Sequence, residues 1–212
     1  MSEVEFVAFL MTSLKLLCDF SVNNSVHYVC IDWRHFGELL SAGRQNYDEF
    51  LNLCVWVKNA GGMGSFYRSQ HELVLVFRQG KGPHRNNIQL GQFGRNRTNV
   101  WQYPGIQTLS KQSEEGNLLA LHPTVKPIAM VADAILDCSA RGEVVLDAFL
   151  GSGTTLMAAE RVVRTCCGIE IDPLGVDVGI RRWQKYTGDA AIQALTGKRF
   201  DEIAALKGVN HV

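Results

Sequence analysis

The chain carries the stretch Val144-Val-Leu-Asp-Ala-Phe-Leu-Gly-Ser-Gly-Thr-Thr-Leu-Met-Ala-Ala-Glu160. Its first three residues form a short apolar run, which is typical of a buried parallel strand. Gly151 and Gly153 allow a tight turn, and the residues after them have helical composition. A ligand can approach bare backbone where such a strand ends and a helix begins. The stretch therefore predicts a nucleotide-like cofactor crevice in an open α/β sheet.

A second apolar run, from Thr165 to Pro173, ends on acidic residues about 20 positions after the glycine turn, the spacing at which α/β folds place a carboxylate on a ribose. Glu170 is the first candidate for that role. Asp172 could equally cap the helix that Pro173 begins. Leu156 stands where a dinucleotide fingerprint needs its third glycine, and the phosphate-gripping Gly-x-x-x-x-Gly-Lys pattern is missing from the sequence. Both of those site types are therefore disfavoured.

Three segments, in order along the chain, resemble motifs of the amino-group DNA methyltransferases, which use S-adenosylmethionine. They are His122-Pro-Thr-Val-Lys-Pro127, Asp147-Ala-Phe-Leu-Gly-Ser-Gly-Thr-Thr155 and Gly168-Ile-Glu-Ile-Asp-Pro173. This order is that of circularly permuted, β-class members, of the kind often fused to a ParB-like nuclease domain. The resemblance covers nearly the whole chain. It implies an α/β fold, a Rossmann-like methyltransferase sheet with helices on both faces.

The resemblance also implies which residues lie at the cofactor. The contacts would come from backbone of the glycine turn, the side chains of Ser152 and Thr154, the Lys126 ammonium on the cofactor carboxylate, and Glu170 on its ribose. The full set is His122, Thr124, Lys126, Asp147, Phe149, Gly151, Ser152, Gly153, Thr154, Glu170 and Asp172. We expect residues 122–188 to form the cofactor-binding half of one partial methyltransferase domain, residues 1–212.

Composition supports a single ordinary domain. The chain has 212 residues, 46% of them apolar, with 21 basic and 21 acidic side chains. No apolar run reaches the roughly 18 residues that a membrane span needs, so we expect a cytoplasmic protein without a membrane partner. The six cysteines and six histidines lack metal-ligand spacing, so no metal site is expected, and the cysteines are interpreted as small buried hydrophobes.

Charge is unevenly distributed along the chain. No acidic residue occurs from Leu73 to Ser113, whereas six basic residues do. This pattern favours a DNA-contact surface within residues 78–118, although a solvated polar loop is the alternative. The candidate DNA-contacting residues are Arg85, Arg95, Arg97 and Lys111, with Trp101 and Tyr103 stacking on a flipped base. The glycine-rich segment Gly61–Arg68 is either a simple hairpin turn or a loop that approaches DNA.

Periodicity predicts most of the secondary structure. Helices are expected at residues 5–17, 35–40, 127–138, 154–160 and 174–186, with one or two more within 189–207. Strands are expected at 25–31, 53–57 and 72–77, the last two as an antiparallel pair, and a long irregular excursion at 79–117.

One element of the family is missing from the sequence. The family's catalytic motif is an Asp, Asn or Ser followed by Pro-Pro and an aromatic residue, which together hold the target amine. The five prolines, at 83, 104, 123, 127 and 173, include no adjacent pair, so no catalytic residue is assigned. We expect the strand that carries the motif to be absent from the middle of the sheet, and the isolated chain to be inactive.

Two interpretations of that absence remain open. The chain is a fragment of a full-length DNA methyltransferase, acting on double-stranded DNA with adenine N6 as the preferred target by resemblance. Alternatively, it is a non-catalytic module that binds S-adenosylmethionine or DNA with a partner that supplies the missing strand. A homodimer would fit an open sheet edge.

Overall fold

The computed structural model describes residues 1–62, 64–105 and 125–206. Six helices are described: α1 Glu3–Asp19, α2 Phe36–Asn46, α3 Ile128–Cys138, α4 Thr154–Arg161, α5 Pro173–Thr187 and α6 Phe200–Leu206. Six strands are described: β1 Val26–Ile31, β2 Glu49–Val57, β3 His71–Arg78, β4 Val100–Gln102, β5 Val144–Asp147 and β6 Thr165–Gly168. Short 3₁₀ turns lie at Trp33–His35 and Gln89–Gly91.

The strands form two separate sheets. The larger has the order β1-β3-β2-β4, in which β3 runs antiparallel to both neighbours and β4 runs parallel to β2. The smaller consists of the parallel pair β5 and β6. Within the described residues, β1 pairs only with β3 and β5 pairs only with β6, so each leaves one backbone edge without a strand.

Helices cover both faces of the larger sheet. Leu75 and Phe77 of β3 pack with α1 and α2 on one face, whereas Val74 and Val76 pack with α3 on the other. All four of these side chains are buried, as expected for a strand covered on both sides. Helix α3 also packs on α4 and the β5–β6 pair. The two sheets are therefore joined through the core around α3.

The predicted α/β fold is confirmed, with differences in detail. Helix α2 extends to Asn46 and strand β2 begins at Glu49, so both are longer than predicted. The excursion predicted at 79–117 contains strand β4, which periodicity missed because it has three residues and only Trp101 is buried. Within 189–206, one helix is preceded by an isolated bridge between Ile192 and Arg199. No helix of the described residues is long and apolar enough to cross a membrane.

Candidate functional site

The ends of several strands meet at one edge of the fold. Strands β1, β2 and β4 end there and β3 begins there, because β3 runs antiparallel to its neighbours. The end of β5 lies on the same side, since the charges of Asp147 and Glu72 both act on the Lys126 ammonium. The carboxyl ends of parallel strands are the usual ligand crevice of an open α/β sheet, so this edge is the candidate site.

Asp147 braces the turn that follows β5. Its Oδ1 accepts a hydrogen bond of 2.9 Å from the backbone N–H of Phe149, and its Oδ2 accepts one of 2.6 Å from the Thr155 hydroxyl. Gly151 and Gly153 adopt φ values of 55° and 84°, a region that favours glycine. The turn is thereby held at both ends, and its backbone has the tight geometry that the sequence predicts.

Glu170 lies directly against the glycine turn. Its Oε2 accepts a hydrogen bond of 2.6 Å from the backbone N–H of Gly151, and its Oε1 accepts one of 2.9 Å from Asp172. The structure therefore brings together a strand-to-helix turn and the carboxylate that sequence spacing selected. Asp172 itself caps α5 by accepting from the Leu174 N–H at 3.0 Å, with Pro173 in the first turn. The capping role left open for Asp172 is confirmed.

Helix α5 contacts the glycine turn at two points. A Cβ added to Gly153 would lie 3.0 Å from the Cα of Gly179, so two backbones meet there. The buried Arg182 guanidinium donates to the Ser152 carbonyl at 2.6 Å and to its hydroxyl at 3.1 Å. Ser152 and Thr154 are both buried. The Ser152 hydroxyl thus accepts a hydrogen bond within the chain, and its contact with a cofactor stays a prediction.

Phe149 lies at the outer side of the same turn. It is largely exposed, and its ring meets the edge of Phe9 in α1 at a centroid distance of 5.8 Å. Its backbone N–H already bonds Asp147. The first helix therefore reaches the glycine turn, a contact that no local sequence pattern indicated.

Lys126 belongs to a charged cluster at the strand ends. Its Nζ lies 3.7 Å from one Glu72 carboxylate oxygen, and Lys58 Nζ lies 3.2 Å from the other. Burial acts to lower the pKa of Lys126, but nearby Cys30, Glu72 and Asp147 outweigh burial and the pKa is raised. The ammonium is therefore charged at neutral pH.

Sequence inspection missed Glu72 and Lys58. The available signal was an acidic residue directly before the apolar run at 73–77 of β3, which a partner cation must compensate. Burial raises the pKa of the neighbouring Cys30 thiol to about 11, so this thiol is neutral there. His122 and Thr124, the other predicted cofactor residues of this segment, lie outside the described residues.

The acid-free residues 78–113, of which 78–105 are described, are called the basic segment, and the described part packs against α3. Arg95 donates to Asp137 at 2.7 Å, and Arg97 lies 2.8 Å from the second Asp137 oxygen. The Tyr103 hydroxyl donates to Asp133 at 2.5 Å and accepts from Arg97 at 3.0 Å. No local pattern indicates these carboxylates, because they lie on α3, 30 to 42 positions further along the chain.

These contacts change the expected roles of the candidate DNA-binding residues. The charges of Arg95 and Arg97 are compensated within the chain, and Trp101 is buried beneath the Arg97 guanidinium at 5.2 Å. Arg85 lies at the surface, 3.0 Å from Glu143. Lys111 lies outside the described residues. Arg95, Arg97 and Trp101 therefore hold the basic segment on α3. Because Trp101 is buried, the predicted stacking of its ring on a flipped base is not supported.

The six cysteines differ in their exposure to solvent. Cys18 and Cys54 are buried, Cys167 is exposed, and the other three cysteines are half-buried. In the described part of the chain, no group of three or more His, Cys, Asp or Glu residues is placed to hold a metal ion.

Comparison with known proteins identifies curated relatives. Type II methyltransferase M.ScaI of Streptomyces caespitosus is 36% identical over 95 residues, which are 45% of this chain and 31% of that protein. DNA adenine methyltransferase YhdJ of Escherichia coli strain K12 is 39% identical over 84 residues, 40% of this chain and 26% of that protein. The matched part of this chain thus spans less than a third of either relative.

Solved structures share the fold at low sequence identity. The M1.HpyAVI–SAM complex has a TM-score of 0.66 and 20% identity, covering 82% of this chain and 81% of that one. PvuII DNA methyltransferase, described as cytosine-N4-specific, has a TM-score of 0.71 and 18% identity, covering 84% of this chain and 71% of that one. The curated relatives and the fold shared with these structures both agree with the glycine turn and the Glu170 carboxylate described above. A protein-family model described as DNA methylase matches residues 2–179, which are most of this chain. The chain therefore belongs to the DNA methylase family.

Proposed function

We propose that this chain is a DNA methyltransferase domain that binds S-adenosylmethionine and serves methyl transfer to an exocyclic amino group in double-stranded DNA. The observation that carries the proposal is the Glu170 carboxylate held 2.6 Å from the Gly151 N–H, at the end of β5. A carboxylate at such a turn fits a ribose diol, and the tight glycine backbone leaves room for a nucleoside. The SAM complex of M1.HpyAVI, which shares the fold, supports this choice of cofactor.

Lys126 supports the choice of S-adenosylmethionine over a simple nucleoside. Its charged ammonium lies at the same edge as Asp147, held by Glu72. An ammonium there suits the carboxylate of the cofactor's methionine part, because a charge-assisted hydrogen bond is stronger than a neutral one. When bound, the cofactor supplies an electrophilic methyl group. The chain's own residues hold its two ends, Glu170 at the ribose and Lys126 at the amino acid.

Adenine N6 is the proposed target. The relative YhdJ is named a DNA adenine methyltransferase, whereas the PvuII structure is of a cytosine-N4-specific enzyme. The sequence relation to YhdJ, at 39% identity, favours adenine over the more distant structural likeness. The M.ScaI relative, a Type II methyltransferase, favours a role beside a restriction enzyme.

The Pro-Pro catalytic motif of the family does not occur in the amino-acid sequence. No adjacent prolines occur in the sequence, so the Pro-Pro catalytic motif of the family must come from another segment or chain. Among the described residues, β1 and β5 each have one edge without a strand, and a position between them, as in a circularly permuted sheet, is supported because both sheets pack on α3. A second candidate function follows: a binding module whose strand comes from a partner, a second copy of the chain included.

Calorimetry with two ligands tests the cofactor assignment. The chain should bind S-adenosylmethionine, and Lys126→Ala should weaken that binding by about tenfold or more, as for loss of a hydrogen bond to a charged group. Binding of 5′-methylthioadenosine, which lacks the amino-acid part, should be unchanged by Lys126→Ala. Lys15→Ala is the matched control, because Lys15 pairs with Asp19 at the surface of α1. Failure of the folded chain to bind S-adenosylmethionine would refute the assignment.

A labelled-methyl assay on duplex DNA tests the missing strand. We expect no transfer by the chain alone, and transfer to adenine N6 when the catalytic segment is supplied. Nucleoside analysis of the product separates N6-methyladenine from N4-methylcytosine. Transfer by the chain alone would contradict the need for another segment.

A further inference from the structure

Two aromatic side chains stand in solvent at the candidate site. Phe66 and Tyr67 are 85% and 84% exposed, and their rings contact each other at a centroid distance of 4.2 Å. They lie in the loop between β2 and β3, residues 58–70, of which 58–62 and 64–70 are described. Exposing two neighbouring aromatic rings is unfavourable in water, so such a pair marks an interaction surface.

The loop that carries the pair is braced by its own hydrogen bonds. Lys58 N–H donates to the Gln70 carbonyl at 2.8 Å, and Gly62 N–H donates to Ser69 at 2.8 Å. The Arg68 guanidinium donates to the Gly61 and Gly62 carbonyls at 2.7 Å and 2.8 Å. The exposed rings therefore lie on a loop that its own hydrogen bonds hold in place. This order lowers the conformational entropy lost when the rings bind a partner.

The base of the loop is part of the candidate site. Lys58 at its start bonds Glu72, and the other Glu72 oxygen lies 3.7 Å from Lys126. Asn59 accepts a hydrogen bond of 3.0 Å from the Gly105 N–H, which ties the loop to the segment after β4. The aromatic pair therefore projects from the strand ends where the proposed cofactor residues lie.

Charge in the loop fits a nucleic acid. Residues 58–70 contain Lys58 and Arg68 and no acidic residue. Lys58 is paired with Glu72, so Arg68, which bonds backbone carbonyls, is the cation of the loop that has no carboxylate partner within the described residues. Aromatic faces beside cations suit unstacked bases on a phosphate backbone, whereas a protein partner has no general need for this charge. Trp101 and Tyr103 of the basic segment do not offer this surface, since Trp101 is buried and Tyr103 bonds Asp133, and the exposed Phe93 of the same segment has no aromatic neighbour among the ring contacts of the described residues.

We infer that Phe66 and Tyr67 contact an unstacked base of the DNA at this site. The inference rests on the proposed function, because an amino group inside a duplex is reached only when its base leaves the stack. It also selects the DNA-approaching loop over the simple hairpin turn for Gly61–Arg68.

Fluorescence anisotropy with two labelled oligomers tests the inference. One is a strand of about 12 deoxyadenosines, within the site size of single-strand binding proteins, and the other has the same phosphates but only abasic residues. The double variant Phe66→Ala/Tyr67→Ala should bind the deoxyadenosine strand about fivefold or more weakly, the lower bound for loss of one stacked base. Its binding to the abasic oligomer should stay within about twofold, because the charges of the loop are unchanged.

Phe20→Ala is the matched control. Phe20 is 79% exposed and precedes β1, so it lies where β1 begins, at the end of this strand opposite to the candidate site. This variant should change neither affinity. The inference is overturned if the double variant weakens both oligomers equally, if it weakens neither, or if the original chain binds neither. Calorimetry with S-adenosylmethionine on the same samples keeps the two ideas distinct. Cofactor binding together with base-independent DNA binding would refute the loop and leave the proposed function standing.

Discussion

The Glu170 carboxylate accepts a hydrogen bond of 2.6 Å from the backbone N–H of Gly151, joining the end of the β6 segment to the turn after β5. The two residues are 19 positions apart in the sequence. The contact exists because β5 and β6 pair in parallel, which brings their carboxyl ends side by side. A nucleoside placed at this turn would meet the carboxylate directly.

Removal of the Glu170 carboxylate should weaken cofactor binding. We expect Glu170→Ala to reduce the affinity for S-adenosylmethionine by about 10- to 100-fold, the range for losing hydrogen bonds to a charged group. Asp172→Asn serves as control, because Asn caps a helix as well as Asp does, and should leave the affinity unchanged. Calorimetry measures both. A loss for Asp172→Asn equal to that for Glu170→Ala would mean that Asp172 binds the cofactor as well as capping α5.

The close packing of α5 on the glycine turn leaves little room for a side chain at Gly153. Gly153→Ala should lower the free energy of unfolding by more than the about 1–2 kcal/mol of a left-handed conformation, because its Cβ would also press on Gly179 at 3.0 Å. Gly188→Ala is the matched control, with a φ of 79° and no atom within 4 Å of the added Cβ. Urea unfolding compares the two, and equal losses would exclude the steric contribution.

The carboxylate of Asp137 should matter for stability. Asp137 is buried between Arg95 and Arg97, so Asp137→Asn leaves two partly buried cations undercompensated. We expect a loss of about 3 kcal/mol in the free energy of unfolding. Glu143→Gln, which removes the exposed partner of Arg85, should cost about 0–1 kcal/mol. A small loss for Asp137→Asn in chemical unfolding would instead favour Arg95 and Arg97 as cations available to DNA.

Acid should destabilise the chain through His27. Burial lowers the pKa of His27 to about 4, and its ring nitrogens lie 3.0 Å from the Ser25 hydroxyl and 2.9 Å from the Tyr47 hydroxyl. An unfolded histidine titrates near 6.5, so between about pH 6.5 and 4 the unfolded state binds a proton that the folded state does not. This contribution to stability is present above about pH 6.5 and is lost as the pH falls towards 4.

Unfolding of the original chain and of His27→Gln at pH 7 and pH 4.5 measures this contribution. Between these two pH values, the original chain should lose about 2 kcal/mol more than the variant does. Carboxyl groups also titrate in this range, but they contribute to both proteins and cancel in the difference. Equal losses would show that His27 charges freely in the folded state.

Local patterns in the sequence predicted much of the fold. The strand, glycine turn and helix at 144–160 were confirmed, as were the antiparallel pair β2–β3 and the end of α5 at Gly188. Helix and strand periodicity involve residues a few positions apart, so they are visible in the chain itself. β4 escaped because three residues are too few for a period to appear.

The electrostatic pattern was less informative. An acid-free segment predicted charges open to DNA, yet Arg95 and Arg97 bond carboxylates of α3. A count of charges along the chain cannot include a partner that packing brings from about 40 positions away. Arg68, in the β2–β3 loop beside the exposed rings of Phe66 and Tyr67, instead bonds backbone carbonyls and keeps its charge uncompensated by a carboxylate within the described residues.

The amino-acid sequence alone was sufficient for the glycine turn, the carboxylate beside it and the kind of fold, because these depend on short-range backbone preferences and on a fixed strand-to-strand spacing. Which polar groups stay accessible at that turn depended on packing. Helix α5 buries the Ser152 hydroxyl under Arg182, β3 brings Glu72 to Lys126, and α3 supplies the carboxylates that pair with Arg95 and Arg97. A charge or hydroxyl removed from water must find a partner, and folding brings together partners that are distant in the sequence.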